Sequence, residues 1–181
     1  MKRLLLLLSF TLLVGCTSTA EFDLDDVVAE VMDEEVTAED VYLYRYHRDY
    51  SFEQSVRSYA QQKVMVLKAK EHGFNMTEQE VDEEFESFRD YSGMYELFLE
   101  ENLASIEESA EILNMDVEEI THGRYKRGIV ESESATYYFT DVFCENTTID
   151  PCPDTTEEFH EKMNEHVREL YEEHIEYRFN E

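Results

Sequence analysis

One helix-start signature recurs along this chain and sets its architecture. Val36-Thr37-Ala38-Glu39-Asp40-Val41, Met76-Thr77-Glu78-Gln79-Glu80-Val81 and Met115-Asp116-Val117-Glu118-Glu119-Ile120 share one layout. Each offers an N-cap oxygen, at Thr37, Thr77 or Asp116, and an acid three residues on that can reach back to the cap N–H. Apolar residues on either side can clasp across the cap as a hydrophobic staple. Ser51-Phe52-Glu53-Gln54 is a further capping box. Each cap stabilises a helix start by about 1 kcal/mol. The three copies start 40 and 39 residues apart, but the stretches between them do not resemble one another. They are punctuation rather than an internal repeat. Only five Gly and two Pro interrupt 181 residues, so the chain reads as mainly α.

The punctuation predicts a first helix from Ala38 to about Tyr50 and a long second one from Ser51 to His72, stopped by Gly73. Val56, Tyr59, Ala60, Val64 and Leu67 give the second helix an apolar face. A third presents Val81, Phe85 and Phe88 and ends before Gly93. Met94 to Leu99 reads as a short helix, and Ser105-Ile106-Glu107-Glu108 starts another that ends near Leu113. Gly123 and Gly128 weaken the helical pattern beyond Val117. Ala135 to Phe143 is rich in strand-favouring residues. After Asp150-Pro151-Cys152-Pro153-Asp154, a last helix from Thr155 or Thr156 carries Phe159, Met163, Val167, Leu170, His174 and Tyr177 on one face. Val27 to Met32 is a short β-prone run, turned by Asp33-Glu34-Glu35.

The first sixteen residues carry an address. Met1-Lys2-Arg3, an apolar run and Leu13-Val14-Gly15-Cys16 have the form of a secretory signal, 1–15, ending in a lipobox. Cleavage before Cys16 would leave a cysteine carrying diacylglycerol. The mature chain would then sit outside the cytoplasm, held to a membrane by lipid through a short tether, 16–26. With fifteen residues removed, 166 remain; losing Lys2 and Arg3 leaves 13 basic residues against 44 acidic, a net charge of −31. Such a surface repels nucleic acid and anionic headgroups; it favours basic or neutral partners, or reflects a saline habitat or simple solubility. Cys144 and Cys152 then form an even pair in an oxidising compartment, read as a structural disulfide. A loop that short contributes roughly 2–3 kcal/mol.

The order of parts resembles a known family. Val28-Ala29-Glu30-Val31-Met32-Asp33-Glu34-Glu35-Val36-Thr37 is a β-run, an acidic turn and a Thr-capped helix start. A long helix closes on Gln61-Gln62-Lys63-Val64-Met65-Val66-Leu67-Lys68-Ala69-Lys70-Glu71-His72-Gly73-Phe74, followed by Met76-Thr77-Glu78-Gln79-Glu80-Val81-Asp82. This is similar to the N-terminal chaperone domain of the SurA and PrsA foldases, related in shape to trigger factor's peptide-binding arms. The resemblance covers Val27 to Phe88 best. It implies a helical domain over 27–181 with a short strand near the start. The last helix would return onto the core, and the early strand would pair near the other end of the chain. It also favours helix over strand for Ala135 to Phe143. The family turns after its first strand with Asn-Gly, where this chain has Asp33-Glu34. Family members often insert a parvulin isomerase before the last helix, but 145–154 is too short to hold one. The resemblance therefore implies a chaperone-like protein without isomerase activity, binding unfolded or extended exported polypeptides. Cys144 and Cys152 would clamp the two arms where the isomerase is missing. The alternatives are a structural adaptor for one folded partner at the membrane and, more remotely, a metal-dependent helical-bundle enzyme.

Tyr42, Tyr46 and Tyr50, spaced to share a helix face, read either as a client-binding patch or as a half-buried core stripe. Tyr44 adds to the cluster. The same pair of readings applies to Tyr137, Tyr138 and Phe139, and Met94-Tyr95 with Leu97-Phe98 reads as core. His160-Glu161 opens like a zinc-protease helix, but Asn164 stands where the second His belongs. Glu119-x-x-His122 and Glu157-x-x-His160 match a di-iron spacing, yet a chain this rich in Glu produces such matches by chance. No catalytic residue, metal site or cofactor other than the lipid on Cys16 is assigned. Arg124, Lys126 and Arg127, the one tight basic cluster, read as solvated surface by default, or as meeting anionic lipid or an acidic neighbour within the protein.

Overall fold

The computed structural model describes residues 22–45, 49–91, 93–146 and 156–178. The protein is mainly helical, with a small antiparallel sheet. Strand β1 (Val27–Val31) lies between β2 (Glu34–Thr37) and β3 (Ile175–Tyr177). The β-prone run is therefore a strand, and it pairs with residues from the far end of the chain. Ala29 faces Tyr177 and Val31 faces Ile175. Being central, β1 buries Val28, Ala29 and Val31 completely.

Two features of the sheet differ from expectation. The turn falls one residue early. Val31 pairs with Glu34, and Met32 and Asp33 between them take φ of 51° and 67°. A two-residue hairpin built on a type I′ turn needs positive φ at both central positions. Asp tolerates that conformation, but Met ordinarily does not. Met32 is held there by its N–H bond to the His174 carbonyl (3.0 Å) and by packing on the core. Tyr177 sits in β3 and not on the last helix. Strand β2 was hidden by its glutamates, and β3 by its continuity with a helical pattern.

Thr37 ends β2 and caps α1 (Ala38–Tyr44), with Asp40 completing the box. Val36 and Val41, the staple pair, are both buried. Ser51 with Gln54 caps α2 (Phe52–Glu71), and Thr77 with Glu80 caps α3 (Glu78–Asp90). Helix α2 ends in a Schellman turn. Phe74 N–H bonds Ala69 O, Gly73 N–H bonds Lys70 O, and Gly73 has φ of 92°. Asp116 caps α5 (Val117–Tyr137) through the Glu118 N–H, without the reciprocal Glu119 contact.

Several boundaries correct the sequence reading. Helix α4 (Met94–Leu113) is one helix and not two. Ser105 is no cap, because its hydroxyl turns back to the Asn102 carbonyl (2.9 Å) and meets Arg124. Helix α5 runs unbroken through Gly123 and Gly128. It continues as a π-helix (Tyr138–Phe143) and the short α6 (Cys144–Asn146), so Ala135 to Phe143 is helical. Thr156 caps α7 (Glu157–His174), whose Phe159 and Leu170 are buried. Cys144 is disulfide-bonded; Cys152, its expected partner, and Cys16 lie outside the described residues. The stretch read as tether is already docked from Phe22 onward. Phe22 stacks on Phe52 at 4.8 Å, and the carbonyls of Leu24 and Asp26 accept from Glu39 and Ala38 at the start of α1.

Helix α1 stops at Tyr44, six residues short of expectation, and the cause lies in α5. Arg124 is fully buried. Its Nε donates to Leu43 O (3.0 Å) and its Nη2 to Tyr42 O (3.2 Å), two carbonyls of the last turn of α1. It also donates to Ser105 Oγ (2.9 Å) and Ser109 Oγ (2.5 Å) of α4. A cation at a helix C-terminus satisfies orphan carbonyls and complements the helix dipole. The solvated-surface reading of this cluster therefore fails at Arg124. Arg124→Met should cost roughly 2–4 kcal/mol, since it strands buried hydroxyls and carbonyls together. Urea unfolding monitored by circular dichroism measures that loss.

The π-helix meets α7 through His166. Its Nε2 lies 2.9 Å from Tyr138 Oη, and its ring contacts those of Tyr138 and Phe143. Burial lowers the His166 pKa, with Glu169 opposing. The folded state therefore holds this proton less tightly than the unfolded chain. The contribution is present above the ordinary histidine range, near 6.5, and is lost as pH falls through the lower folded value. Thermal melting from pH 8 to pH 5 should show a decline that His166→Gln makes shallower.

Candidate functional site

A groove of about 500 Å³ opens between α2, α3 and α5. Its aliphatic wall is Val66 and Leu67 of α2, Val81 of α3 and Val130 of α5. Arg127 and Glu131, one turn apart on α5, form an ion pair at one end. The Arg127 guanidinium lies 4.5 Å from the Tyr44 ring centroid and 4.0 Å from that of Tyr59, and it donates to Tyr59 Oη at 2.9 Å. The two tyrosine rings stack on each other, 6.1 Å apart. Cation–π contact, charge pairing and a hydrogen bond thus converge on one guanidinium and make this end of the groove rigid. Lys63 pairs with Glu34 at 3.1 Å, and Lys126 with Asp82 at 2.5 Å.

Burial governs the titration of Tyr59 and Glu131. It pushes the Tyr59 hydroxyl up to about 12, because Arg127 only partly offsets the cost of a buried phenolate. It also raises the Glu131 carboxyl despite the Arg127 partner. Burial opposes the charge on Arg127 as well, but Glu131 and Tyr59 together outweigh it and hold the guanidinium protonated.

Of the tyrosines singled out by spacing, Tyr42 and Tyr50 do not share a helix face. Tyr42 is buried beside Phe52, with ring centroids 4.8 Å apart. Tyr46 lies outside the described residues. Tyr50 is beyond the end of α1 and 42 % exposed. It lines a recess of about 20 Å³ with Val41, Tyr44 and Tyr59. Tyr42 belongs to the core, and the rings that line the groove are those of Tyr44 and Tyr59 instead. Arg127 and Glu131 were missed as a pair; their spacing of four on a helix was the available signal. Tyr137 stacks on Phe74 and donates to the His72 carbonyl, while Tyr138 is buried. Tyr95 and Phe98 join Phe85 and Tyr125 in an aromatic cluster between α3, α4 and α5. His122 packs edge-on against Phe85, and Glu119 is exposed. His160 lies on the outer face of α7. Among the described residues, no three metal-ligating side chains converge, and no helix is long and apolar enough to cross a membrane.

Comparison with family models, with curated proteins and with solved structures returned no match.

Tyr59 supplies a test of the groove's end. Its folded pKa lies above the ordinary tyrosine value near 10, so its contribution is intact up to that pH and is lost as pH rises from 10 through 12. One proton per molecule corresponds to about 1.4 kcal/mol per pH unit. Across that window Tyr59→Phe should lose stability more slowly than the parent chain by up to this slope, as read by denaturant unfolding at stepped pH.

Proposed function

We propose that this chain is an extracytoplasmic lipoprotein, anchored through Cys16, that binds unfolded or extended segments of exported polypeptides without covalent chemistry. The observation that carries the reading is the groove between α2, α3 and α5, an aliphatic trough open to solvent with a rigid, charge-neutralised end. Clefts of this size with apolar walls and a few fixed polar groups suit ligand capture. The element order adds support. A hairpin feeding capped helices, and a late strand returning to pair with β1, are what the resemblance to SurA-type domains implies. The segment before α7 is too short for an isomerase domain, so the reading assigns no prolyl isomerase activity.

The docked Phe22 also bears on this reading. Only five residues lie between it and Cys16, and the six steps from one Cα to the other reach about 20 Å when fully extended. A lipid on Cys16 would hold the domain close to the membrane, where exported chains emerge unfolded.

The purified full-length protein should slow the aggregation of a chemically unfolded client in a light-scattering assay at near-stoichiometric ratio. Absence of that effect, together with no binding to a peptide array, would overturn the proposal. Co-purification of one stoichiometric folded partner, not displaced by unfolded protein, would instead identify an adaptor.

A further inference from the structure

Gly123 lies in the groove wall, one turn before Lys126 and Arg127 and two turns before Val130. Apart from its own stretch of helix backbone and its chain neighbours, a Cβ added at Gly123 would meet no heavy atom within 4 Å. Glycine in mid-helix costs about 1 kcal/mol against alanine. No crossing backbone requires it here, and its φ is not left-handed. The absent side chain is therefore open space within the groove, a notch on the side formed by α5.

The surroundings narrow what fits that notch. The wall is made of branched aliphatics, Val66, Leu67, Val81 and Val130. The aromatic rings of Tyr44 and Tyr59 are engaged by Arg127 and by each other. The groove's cations are each matched by one carboxylate: Lys63 with Glu34, Lys126 with Asp82, Arg127 with Glu131. Asp82 continues onto the outer face of α3, which Glu78, Glu83 and Glu86 make acidic. The chain as a whole carries −29. A neutral apolar group enters the groove without electrostatic cost, an acidic neighbour to it is repelled by the rim, and a basic neighbour is attracted.

We infer that the groove seats a bulky aliphatic side chain (Leu, Ile or Met) over Gly123, from an extended segment that carries Lys or Arg on either side. This rests on the groove being a polypeptide site. Gly123 then sets the size of the residue accepted, and the acidic rim sets the charge of its neighbours.

The test uses the full chain and short fluorescein-labelled Gly/Ser peptides with a central Leu, Phe or Ala flanked by Lys or by Glu, read by fluorescence anisotropy. The Lys-flanked Leu peptide should bind tightest. The Glu-flanked version should bind about tenfold more weakly at low salt, and the gap should close as salt screens the rim. Gly123→Leu, which fills the notch, should melt no lower than the parent and lose roughly tenfold or more in affinity for the Leu peptide. Gly123→Ala, the smaller filler, should lose less, and it carries the test if Gly123→Leu melts lower. Undiminished binding by a well-folded Gly123 variant overturns the notch, and equal binding of Lys- and Glu-flanked peptides overturns the role of the rim. A parent chain that binds none of the peptides overturns the polypeptide-site reading itself, and this inference with it.

Discussion

One guanidinium organises the helical part of this molecule. Arg124 extends from the middle of α5 into a fully buried position, where the last carbonyls of α1 and two serine hydroxyls of α4 receive it. A buried cation is tolerated only when its donors are satisfied. Its environment therefore specifies three things together: where α1 ends, the rotation of α4 that presents Ser105 and Ser109, and the depth at which α5 crosses them. An apolar contact of the same size would permit sliding; directional bonds to fixed carbonyls do not. Two hydrophobic clusters, one around the sheet and α2 and the other between α4 and α5, both reach α1 here: Tyr42 belongs to the first and Leu43 packs against the second.

The helix starts were legible because they depend on local chemistry. Thr37, Ser51 and Thr77 each make the side-chain bonds that their spacing implied, and Gly73 ends α2 as its type requires. The errors arose where a distant partner overrode local preference. Helix α1 stops short because Arg124, eighty residues away, occupies its final carbonyls. Helix α4 runs through Ser105 because that hydroxyl has a partner on α5 rather than at a helix start. Met32 adopts a left-handed conformation because the turn is held by His174 from the other end of the chain. None of these contacts leaves a trace in the short windows from which helices and turns are read.

The groove shows the same division. Half of its aliphatic wall follows from periodicity, since Leu67 and Val81, unlike Val66 and Val130, lie on helix faces that the spacing of apolar residues already marked. Its charged end does not. Arg127, Glu131, Tyr44 and Tyr59 come from three helices, and their convergence depends on how those helices cross. The arrangement is economical in conformational freedom. The guanidinium is covered by two rings and fixed by a carboxylate, so a ligand arriving there has few side chains left to immobilise. In a strongly acidic protein, pairing each groove cation with one carboxylate also keeps the trough free of the repulsion that covers the rest of the surface.

The pairing of β1 with β3 has a consequence for how the molecule comes into being. Glu30 and Arg178 meet across 148 positions of sequence. The central strand therefore waits, with one edge open, until nearly the whole chain has been delivered. Closing so long a loop is entropically slow, and contacts of such high sequence separation form late. A chain threaded through a membrane amino end first would present β1 outside while its partner was still inside. During that interval its own sheet edge is an unsatisfied template for any neighbouring extended strand. Delivered in that way, this protein would begin with its central strand exposed and half-paired.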